Sequence, residues 1–286
     1  CPPLAIRADR KLRGDGLFID GSMSSQFISA LLLTSPLFEG GLDLSIAGNA
    51  TSKSYIDMTL QGMREFGVNA ENQDYKRVSV SAGQNYTARE YRVEGDASGA
   101  SYLWALAAVS GGSVTVKNIN TASAQGDIRF PSLLERMGCS VKYGDGAITV
   151  SGPAELGAIE ADMELMPDTA QTLAVVAAYA KGDTVIRGLK TLRVKETDRI
   201  AALHNELAKL GISSTAGPDY IIVRGGIPSK GATIATYEDH RMAMSFAVCA
   251  AVTDDIKISE PHVVDKSFPD FWNTLDLIGI RSEALE

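Results

Sequence analysis

Residues 157–189 read "GAIEADMELMPDTAQTLAVVAAYAKGDTVIRGL", and the order of patterns within them indicates the fold. A short strand-like run comes first, and a polar turn follows it at residues 166–171. The next stretch is apolar and rich in small residues, which is typical of a helix buried on all sides. A β-like run closes the segment at residues 183–189. This alternation predicts a mixed α/β architecture.

The same order of patterns occurs four times along the chain. Each copy starts with a strand-like run, and these runs begin at Gly16, Arg89, Gly157 and Gly231. A second, amphipathic helical stretch closes each copy at a glycine, a residue that takes left-handed backbone conformations at low cost. The closing glycines are Gly67, Gly138, Gly211 and Gly279, at spacings of 71, 73 and 68 residues. We therefore predict four β-α-β-α-β repeats, with the first helix of each repeat buried and the second covering a sheet.

Composition sets limits on the class of protein. The chain has 286 residues and a formal net charge of -8, and these values favour two globular domains without nucleic-acid or anionic-membrane partners. Its three cysteines (Cys1, Cys139 and Cys249) are too few for a disulfide framework or a zinc site, which fits a reducing compartment. No apolar run reaches the ~20 residues that span a bilayer, and no signal peptide is visible. We expect a cytoplasmic protein.

Polar side chains gather at the turn before the first helix of each repeat. Ser24 and Ser25 lie at such a helix start, where free backbone N–H groups can bind a phosphate, or where serines act only as helix caps. For Ser98 and Ser101 the capping role is the favoured interpretation. Asp168 follows Pro167, and it is either a helix cap or a carboxylate that acts as a base.

Basic side chains gather at later helix starts. In "LRVKETDRI", residues 192–200, Lys195 and Arg199 are four residues apart and are expected to share a helix face, with Asp198 at the helix start or paired with Arg199. Arg199, Arg241 and Lys266 fall at corresponding positions of successive repeats, which predicts one strongly positive pocket for a ligand with several negative charges. The alternative is a solvated charged face. The histidines His204, His240 and His262 share no metal-ligand spacing, so no metal site is predicted.

In order along the chain, the motifs "DGSMSSQFISALLL", "SKSYIDMTL", "VEGDASGASY", "QGDIRF", "MPDTAQT", "LRVKETDRI", "ATYEDHRMAM" and "DKSFPDFW" resemble the 5-enolpyruvylshikimate-3-phosphate (EPSP) synthase family. The resemblance covers essentially the whole chain. It implies the enolpyruvyl transferase fold, an inside-out α/β barrel of two similar domains around buried helices, with the active site in the cleft between them. It also implies transfer of the enolpyruvyl group of phosphoenolpyruvate to the 5-hydroxyl of shikimate 3-phosphate, without a metal or organic cofactor.

The resemblance assigns roles to residues that match the family's motifs. Asp168 and Glu196 would be the catalytic carboxylates, the first taking the 5-hydroxyl proton and the second handling the proton at the methylene carbon. The residues that would bind shikimate 3-phosphate are Ser24, Ser25, Gln26, Ser52, Tyr55, Asp168, Thr191 and Lys195, with Thr191 standing where the family often has Asn. The residues that would bind phosphoenolpyruvate are Gln26, Arg199, Arg241 and Lys266.

The family has six repeats and this chain has four. Its first residues, "CPPLAIRADRKLRG", resemble the end of a preceding repeat. We therefore expect residues 1–95 to be the remainder of a first domain and residues 96–286 a complete second domain. The chain would then need an N-terminal fragment of the same enzyme as a partner, and it would otherwise be a monomer. Two alternatives are an enzyme like UDP-N-acetylglucosamine enolpyruvyl transferase and a non-catalytic binding paralogue.

Overall fold

The computed structural model describes residues 3–5, 12–22 and 24–285. The chain divides into two compact units, Cys1–Arg92 (unit 1) and Val93–Glu286 (unit 2), three residues before the predicted boundary. Each unit has its own hydrophobic core. Cys1 and most of the predicted end of a preceding repeat lie outside the described residues.

Unit 1 contains one complete repeat. Its elements are β1 (Gly14–Asp20), α1 (Ser25–Thr34), β2 (Leu42–Ala47), α2 (Lys53–Glu65), β3 (Glu71–Gln73) and β4 (Arg77–Val80). The strands form one sheet in the order β1-β2-β4-β3, in which β1 and β2 run parallel and the other neighbours antiparallel. Helices α1 and α2 pack on each other.

Unit 2 contains the three remaining repeats. Its helices are α3 (Ala97–Ser110), α4 (Phe130–Arg136), α5 (Ala170–Ala178), α6 (Arg199–Lys209), α7 (His240–Ala247) and α8 (Phe271–Leu277). Its strands are β5 (Ser113–Lys117), β6 (Ser140–Gly144), β7 (Ala147–Ser151), β8 (Leu156–Gly157), β9 (Glu160–Asp162), β10 (Ala180–Lys181), β11 (Asp183–Arg187), β12 (Ser214–Ala216), β13 (Ile221–Arg224), β14 (Thr233–Ile234) and β15 (Lys257–Ile258). The larger sheets have the orders β5-β7-β6 and β12-β13-β11-β9.

The first helices of the repeats in unit 2 are buried, as predicted. Every residue of α5 is buried, as are most residues of α3 and α7. The three helices contribute hydroxyl groups at one repeat-equivalent position: Ser101 Oγ lies 3.3 Å from Thr172 Oγ1, which lies 3.4 Å from Ser245 Oγ. Small and hydroxyl side chains therefore let the three helices pack closely in the interior of unit 2.

Two predicted features of the repeats are wrong. Helix α1 is not buried on all sides, because Phe27 and Leu33 are 57% and 51% exposed. The strand predicted from Arg89 does not form. That segment is extended, but within the described residues it has no partner strand, and it is held by isolated hydrogen bonds such as Gly95 N–H to the Asn118 carbonyl.

The four closing glycines follow the prediction. Gly67, Gly138, Gly211 and Gly279 have φ angles of 89°, 106°, 82° and 94°. After each glycine, the next N–H donates to a carbonyl five residues earlier, as Val68 does to Met63. This pattern satisfies the last carbonyls of the second helices and turns the chain into the following segment.

Candidate active site

The candidate site is an ion-pair cluster in unit 2 with Arg199 at its centre. Arg199 is the first residue of α6, and its side chain is 1% exposed. Its Nε lies 2.7 Å from Asp239 Oδ2, its Nη1 3.1 Å from Asp168 Oδ1, and its Nη2 2.7 Å from Glu196 Oε2. Burial lowers the pKa of Arg199, but the charge and hydrogen bond of Asp239 and the charge of Asp168 together outweigh burial and raise the pKa, so the guanidinium stays charged.

Helix α6 begins at this position because Asp198 caps it. The Asp198 carboxylate accepts from the Ala201 N–H at 3.1 Å and pairs with Arg193 at 2.6 Å. The predicted helix-start role of Asp198 is confirmed, and it is Arg193 that pairs with Asp198. Lys195 directly follows a short 3-10 helix, Lys190–Val194, and lies outside α6. The predicted helix face shared by Lys195 and Arg199 is therefore wrong.

Asp239 links the two arginines. Its Oδ1 caps α7 by accepting from the Arg241 N–H at 2.8 Å, and its Oδ2 accepts from the Arg199 Nε–H at 2.7 Å. The Arg241 guanidinium lies 3.2 Å from Asp168 Oδ2 and 3.4 Å from the Tyr102 hydroxyl, which comes from α3. The first turns of α6 and α7 therefore each bring an arginine to one carboxylate, Asp168.

Asp168 does not cap a helix. It lies in a 3-10 helix, Pro167–Thr169, ahead of α5, and its side chain is 10% exposed. Besides the two arginines, Lys195 Nζ approaches Asp168 Oδ1 at 3.9 Å. The carboxylate therefore faces cations instead of a helix start, and its action as a base stays a prediction.

Lys266 joins the cluster through Glu196. Its ammonium contacts Glu196 Oε1, and its side chain is 56% exposed. Lys266 ends the 3-10 helix Pro261–Lys266, so its predicted position at a helix start is wrong. Thr191 lies in the helix Lys190–Val194 and takes no part in these ion pairs.

Three carboxylates pair with the four cations of the cluster. The predicted convergence of Arg199, Arg241 and Lys266 is present and includes Lys195 as well. The carboxylates that pair with these cations are Asp168, Glu196 and Asp239. The three carboxylates thus compensate most of this positive charge, as buried charges require. A positive pocket for a ligand with several negative charges stays a prediction. An incoming anion must compete with these carboxylates for the cations.

The cations control the protonation state of the groups beside them. Burial raises the pKa of Glu196, but the hydrogen bond from Lys266 and the charge of Arg199 outweigh it and lower the pKa to about 2. Burial and the charge of Arg241 lower the pKa of His240 to about 4. At neutral pH Glu196 is consequently ionised and His240 is neutral.

A further buried carboxyl group, outside the ion pairs, adjoins the cluster. Asp127 accepts from the Ser98 hydroxyl, and burial together with the charge of Asp168 raises the pKa of Asp127 to about 6. Helix α3 is capped by Asp96, which accepts from the N–H groups of Ser98 and Gly99 at 3.0 and 3.2 Å. The capping roles predicted for Ser98 and Ser101 are therefore wrong.

Unit 1 carries the remaining predicted residues. Ser24 caps α1 by accepting from the Gln26 N–H at 3.2 Å, and Ser25 is buried in the first turn. Ser52 precedes α2 with a left-handed φ of 51° and is buried. Ser25, Gln26 and Tyr55 line an open groove of about 500 Å³ between α1 and α2.

Sequence reasoning missed the roles of Asp239, Tyr102 and Asp127. All three lie within the quoted motifs, yet each acts through a partner that is distant in sequence, as Asp239 does on Arg199, 40 residues earlier. Of the three, Asp239 could most easily have been recognised in the sequence, because an aspartate two residues before the arginine matches a helix cap.

Within residues 3–5, 12–22 and 24–285, no group of three or more His, Cys, Asp or Glu is arranged to hold a metal ion. In the same part of the chain, the helices are too short or too polar to cross a bilayer.

Comparison with known proteins places these features in context. The model of the family "EPSP synthase (3-phosphoshikimate 1-carboxyvinyltransferase)" matches residues 1–275. The 3-phosphoshikimate 1-carboxyvinyltransferase of Sulfurovum sp. (strain NBC37-1) is 45% identical over 279 residues, which are 97% of this chain and 65% of that protein. The chloroplastic protein of that name from Brassica napus is 42% identical over 97% of this chain and 56% of its own length.

Solved structures agree with these sequence matches. The EPSP synthase of Acinetobacter baumannii has a TM-score of 0.81 and 26% identity, covering 97% of this chain and 65% of that one. The enolpyruvyl transferase NikO of Streptomyces tendae has a TM-score of 0.70 and 17% identity, over 93% of this chain and 65% of its own, which shows the shared fold. The predicted fold class is confirmed. The chain spans about 65% of the length of the bacterial relatives that it matches.

Proposed function

This chain belongs to the EPSP synthase family, and from that premise we propose that it takes part in transferring the enolpyruvyl group from phosphoenolpyruvate to the 5-hydroxyl of shikimate 3-phosphate, with release of phosphate. The observation that supports this proposal is the cluster in which Asp168 and Glu196 contact Arg199, Arg241, Lys195 and Lys266. A binding-only protein has no need to hold two carboxylates among four cations in this way.

The proposed reaction has two steps. Asp168 takes the proton of the 5-hydroxyl while the 5-oxygen bonds to C2 of phosphoenolpyruvate and the methylene carbon C3 gains a proton. The tetrahedral intermediate then loses one proton from C3 and the phosphate group from C2, which restores the double bond. Arg199, Arg241 and Lys266 would bind the phosphate and carboxylate of phosphoenolpyruvate, because guanidinium and ammonium groups stabilise the charge that the leaving phosphate gains.

The lowered pKa of Glu196 fits a group that carries the C3 proton in both directions. With its pKa near 2, Glu196 is ionised and ready to remove a proton from C3 in the elimination step. An anion that draws Arg199 and Lys266 away from Glu196 would raise the pKa of this carboxyl group, so that it could first donate a proton. The same cations would thus control both catalysis and binding.

Unit 1 would supply groups for shikimate 3-phosphate. Ser24, Ser25 and Ser52 offer hydroxyl groups at two helix starts, a position suited to a phosphate. Gln26 and Tyr55 would contact the same substrate, as would Lys195 and Thr191 of unit 2. The buried free thiols of Cys139 and Cys249 fit the cytoplasmic location that we propose.

We further propose that α1 is completed by an N-terminal fragment of the same enzyme. Ser29 is the α1 counterpart of Ser101, but it is half-buried and bonds Thr59 at 2.7 Å, whereas Ser101 meets the hydroxyl of a neighbouring first helix. Phe27 and Leu33 on α1 are about half exposed. Two further repeats, each with an apolar first helix of the same kind, would cover this face.

Phosphate release from phosphoenolpyruvate and shikimate 3-phosphate tests both proposals. The chain is assayed alone and with the N-terminal third of the Sulfurovum relative, and Asp168→Asn is the control in both arms. We expect turnover with the added fragment and its loss in Asp168→Asn. Robust turnover by the chain alone contradicts the need for the fragment. A fragment that binds without turnover contradicts the enzymatic proposal and favours a non-catalytic paralogue.

A further inference from the structure

The turn before α7 has an unusual backbone. Tyr237 and Glu238 both adopt left-handed conformations, with φ angles of 55° and 57°. Residues other than glycine rarely take this backbone conformation, and two such residues in succession persist only where the surroundings enforce it. Asp239 and Arg241 follow directly, so the geometry of this turn determines where the Arg199 partner and the second arginine lie.

A buried carboxylate on α6 holds the turn from one side. Glu206 is 0% exposed, and its two oxygens accept from the Tyr237 hydroxyl at 2.7 Å and the Ala235 N–H at 3.0 Å. Lys209, one turn further along α6, pairs with Glu206 at 2.6 Å. Burial and the hydrogen bond to Glu206 raise the pKa of Tyr237, so its hydroxyl remains a donor at neutral pH.

A third contact ties the turn to a residue outside α6. The Thr236 hydroxyl donates to Glu260 Oε2 at 2.5 Å, and the Asp239 N–H donates to the Thr236 carbonyl at 2.9 Å. Helix α6 and the turn are therefore joined at two places. One is the Arg199–Asp239 ion pair at the start of α6, and the other is Glu206, seven residues further along the same helix.

We propose that Glu206 and Tyr237 are positioning residues that hold the turn at 235–239, and through Asp239 set the orientation of Arg199 relative to Arg241 for anion binding. Neither residue belongs to the ion-pair cluster itself. The ligand part of this inference rests on the proposed function, whereas the link from Tyr237 to the Arg199 guanidinium does not.

The test compares Tyr237→Phe with Tyr179→Phe. Each variant loses one tyrosine hydroxyl from a half-buried ring in unit 2; that of Tyr179 lies 2.8 Å from Thr253 Oγ1. Tyr179→Phe therefore controls for the loss of a hydrogen-bonded hydroxyl, with a neutral partner in place of the Glu206 carboxylate. The first readout is the NMR signal of the Arg199 Nε–H group, which donates to Asp239, and its rate of exchange with solvent. The second is the Kd for phosphoenolpyruvate of the whole chain.

We expect Tyr237→Phe to shift the Arg199 signal, to speed its exchange at least tenfold, and to weaken phosphoenolpyruvate binding about three- to tenfold, while Tyr179→Phe changes neither. An unchanged Arg199 signal in Tyr237→Phe overturns the proposal. If the unaltered chain binds no phosphoenolpyruvate, the proposed function is in question, and the NMR signal still decides the role of Tyr237. If Tyr237→Phe does not fold, Glu206→Gln provides the same comparison, because it keeps the side-chain volume and removes one acceptor.

Discussion

Arg199 is the residue on which the cluster depends. Three carboxylates surround its guanidinium, and one of them, Asp239, is 0% exposed. A buried carboxylate that loses its cation is left without compensation, and this is costly because water cannot replace the partner. Asp239 is also the cap of α7, so the loss of Arg199 would be transmitted to the helix that carries Arg241.

We predict that Arg199→Gln lowers the free energy of unfolding by about 3–5 kcal/mol. The matched control is Arg187→Gln, because Arg187 pairs with Glu160 at the same distance of 2.7 Å but its side chain is 55% exposed. The control should cost about 1 kcal/mol or less. Urea unfolding followed by tryptophan fluorescence measures both variants, and equal losses would contradict a structural role for the buried cluster.

Asp127 makes the stability of the chain depend on pH. Its pKa rises on folding from the ordinary 3.8 to about 6, so the folded state binds more protons than the unfolded state between these two values. Stability attributable to this carboxyl group is thus fully present below about pH 4 and is lost as the pH rises towards 6.

We predict that Asp127→Asn stabilises the chain at pH 8 by about 1–3 kcal/mol and changes its stability little at pH 4. The amide has the size of the carboxyl group and can still accept from Ser98, but it carries no charge to bury. Urea midpoints at the two pH values provide the measurement. A variant that is less stable than the parent chain at pH 8 would show that the charged form of Asp127 is required.

At the scale of elements, the closing glycines were predictable because their cause is local. A helix end needs a left-handed residue wherever the chain reverses in this way, so glycine marks the position in the sequence itself. The strand predicted from Arg89 failed for the opposite reason. Strand formation depends on a neighbouring strand, and the alternating pattern in that segment contains no information about whether one is present.

The candidate site shows the same division. Asp168, Glu196, Arg199 and Arg241 could be identified from motifs, and they do lie together in unit 2. Their pairing could not be identified, because the Arg199–Asp239 contact joins helix starts 40 residues apart through tertiary packing. Lys266 was misplaced because the 3-10 helix that it ends, Pro261–Lys266, spans only about two turns, which is too short for a periodic pattern to reveal it in the sequence.

The closing glycines lead to a prediction for the second helices. We expect Gly138→Ala and Gly211→Ala each to destabilise unit 2 by about 1–2 kcal/mol, because alanine pays a steric cost in the left-handed region. A Cβ at Gly211 would in addition meet Ser229 Oγ at 2.7 Å, whereas at Gly138 it would meet nothing closer than 3.7 Å.

The control is Gly226→Ala, whose Cβ meets nothing within 4 Å and whose φ is not in the left-handed region. It should change stability by less than about 0.5 kcal/mol. Unfolding is followed by tryptophan fluorescence, to which Trp104, 0% exposed in the core of unit 2, contributes. Equal effects of all three substitutions would argue that these glycines do not end their helices for conformational reasons.

At the scale of the whole molecule, the two units differ in how completely they bury their apolar residues. The core of unit 2 draws on residues from three repeats and encloses the first helix of each. The core of unit 1 is built from a single repeat, and α1 and its neighbour Leu37 leave large apolar side chains exposed, with Leu37 at 74%. An exposed apolar face of this kind binds partners or aggregates.

We predict that residues 93–286 fold on their own and unfold cooperatively. Their urea midpoint, followed by tryptophan fluorescence, should be close to the midpoint that the same signal gives in the full chain. The reason is that, among the described residues, those that form the core of unit 2 all belong to unit 2 itself. Both tryptophans, Trp104 and Trp272, lie in unit 2, so their fluorescence reports on this unit in either chain. The paired measurement is the binding of a hydrophobic dye, which should be strong for the full chain and weak for residues 93–286, because the apolar face of α1 is absent from the shorter chain. A shorter chain that binds the dye as strongly, or that unfolds at a much lower urea concentration, would mean that unit 2 depends on unit 1 for its stability.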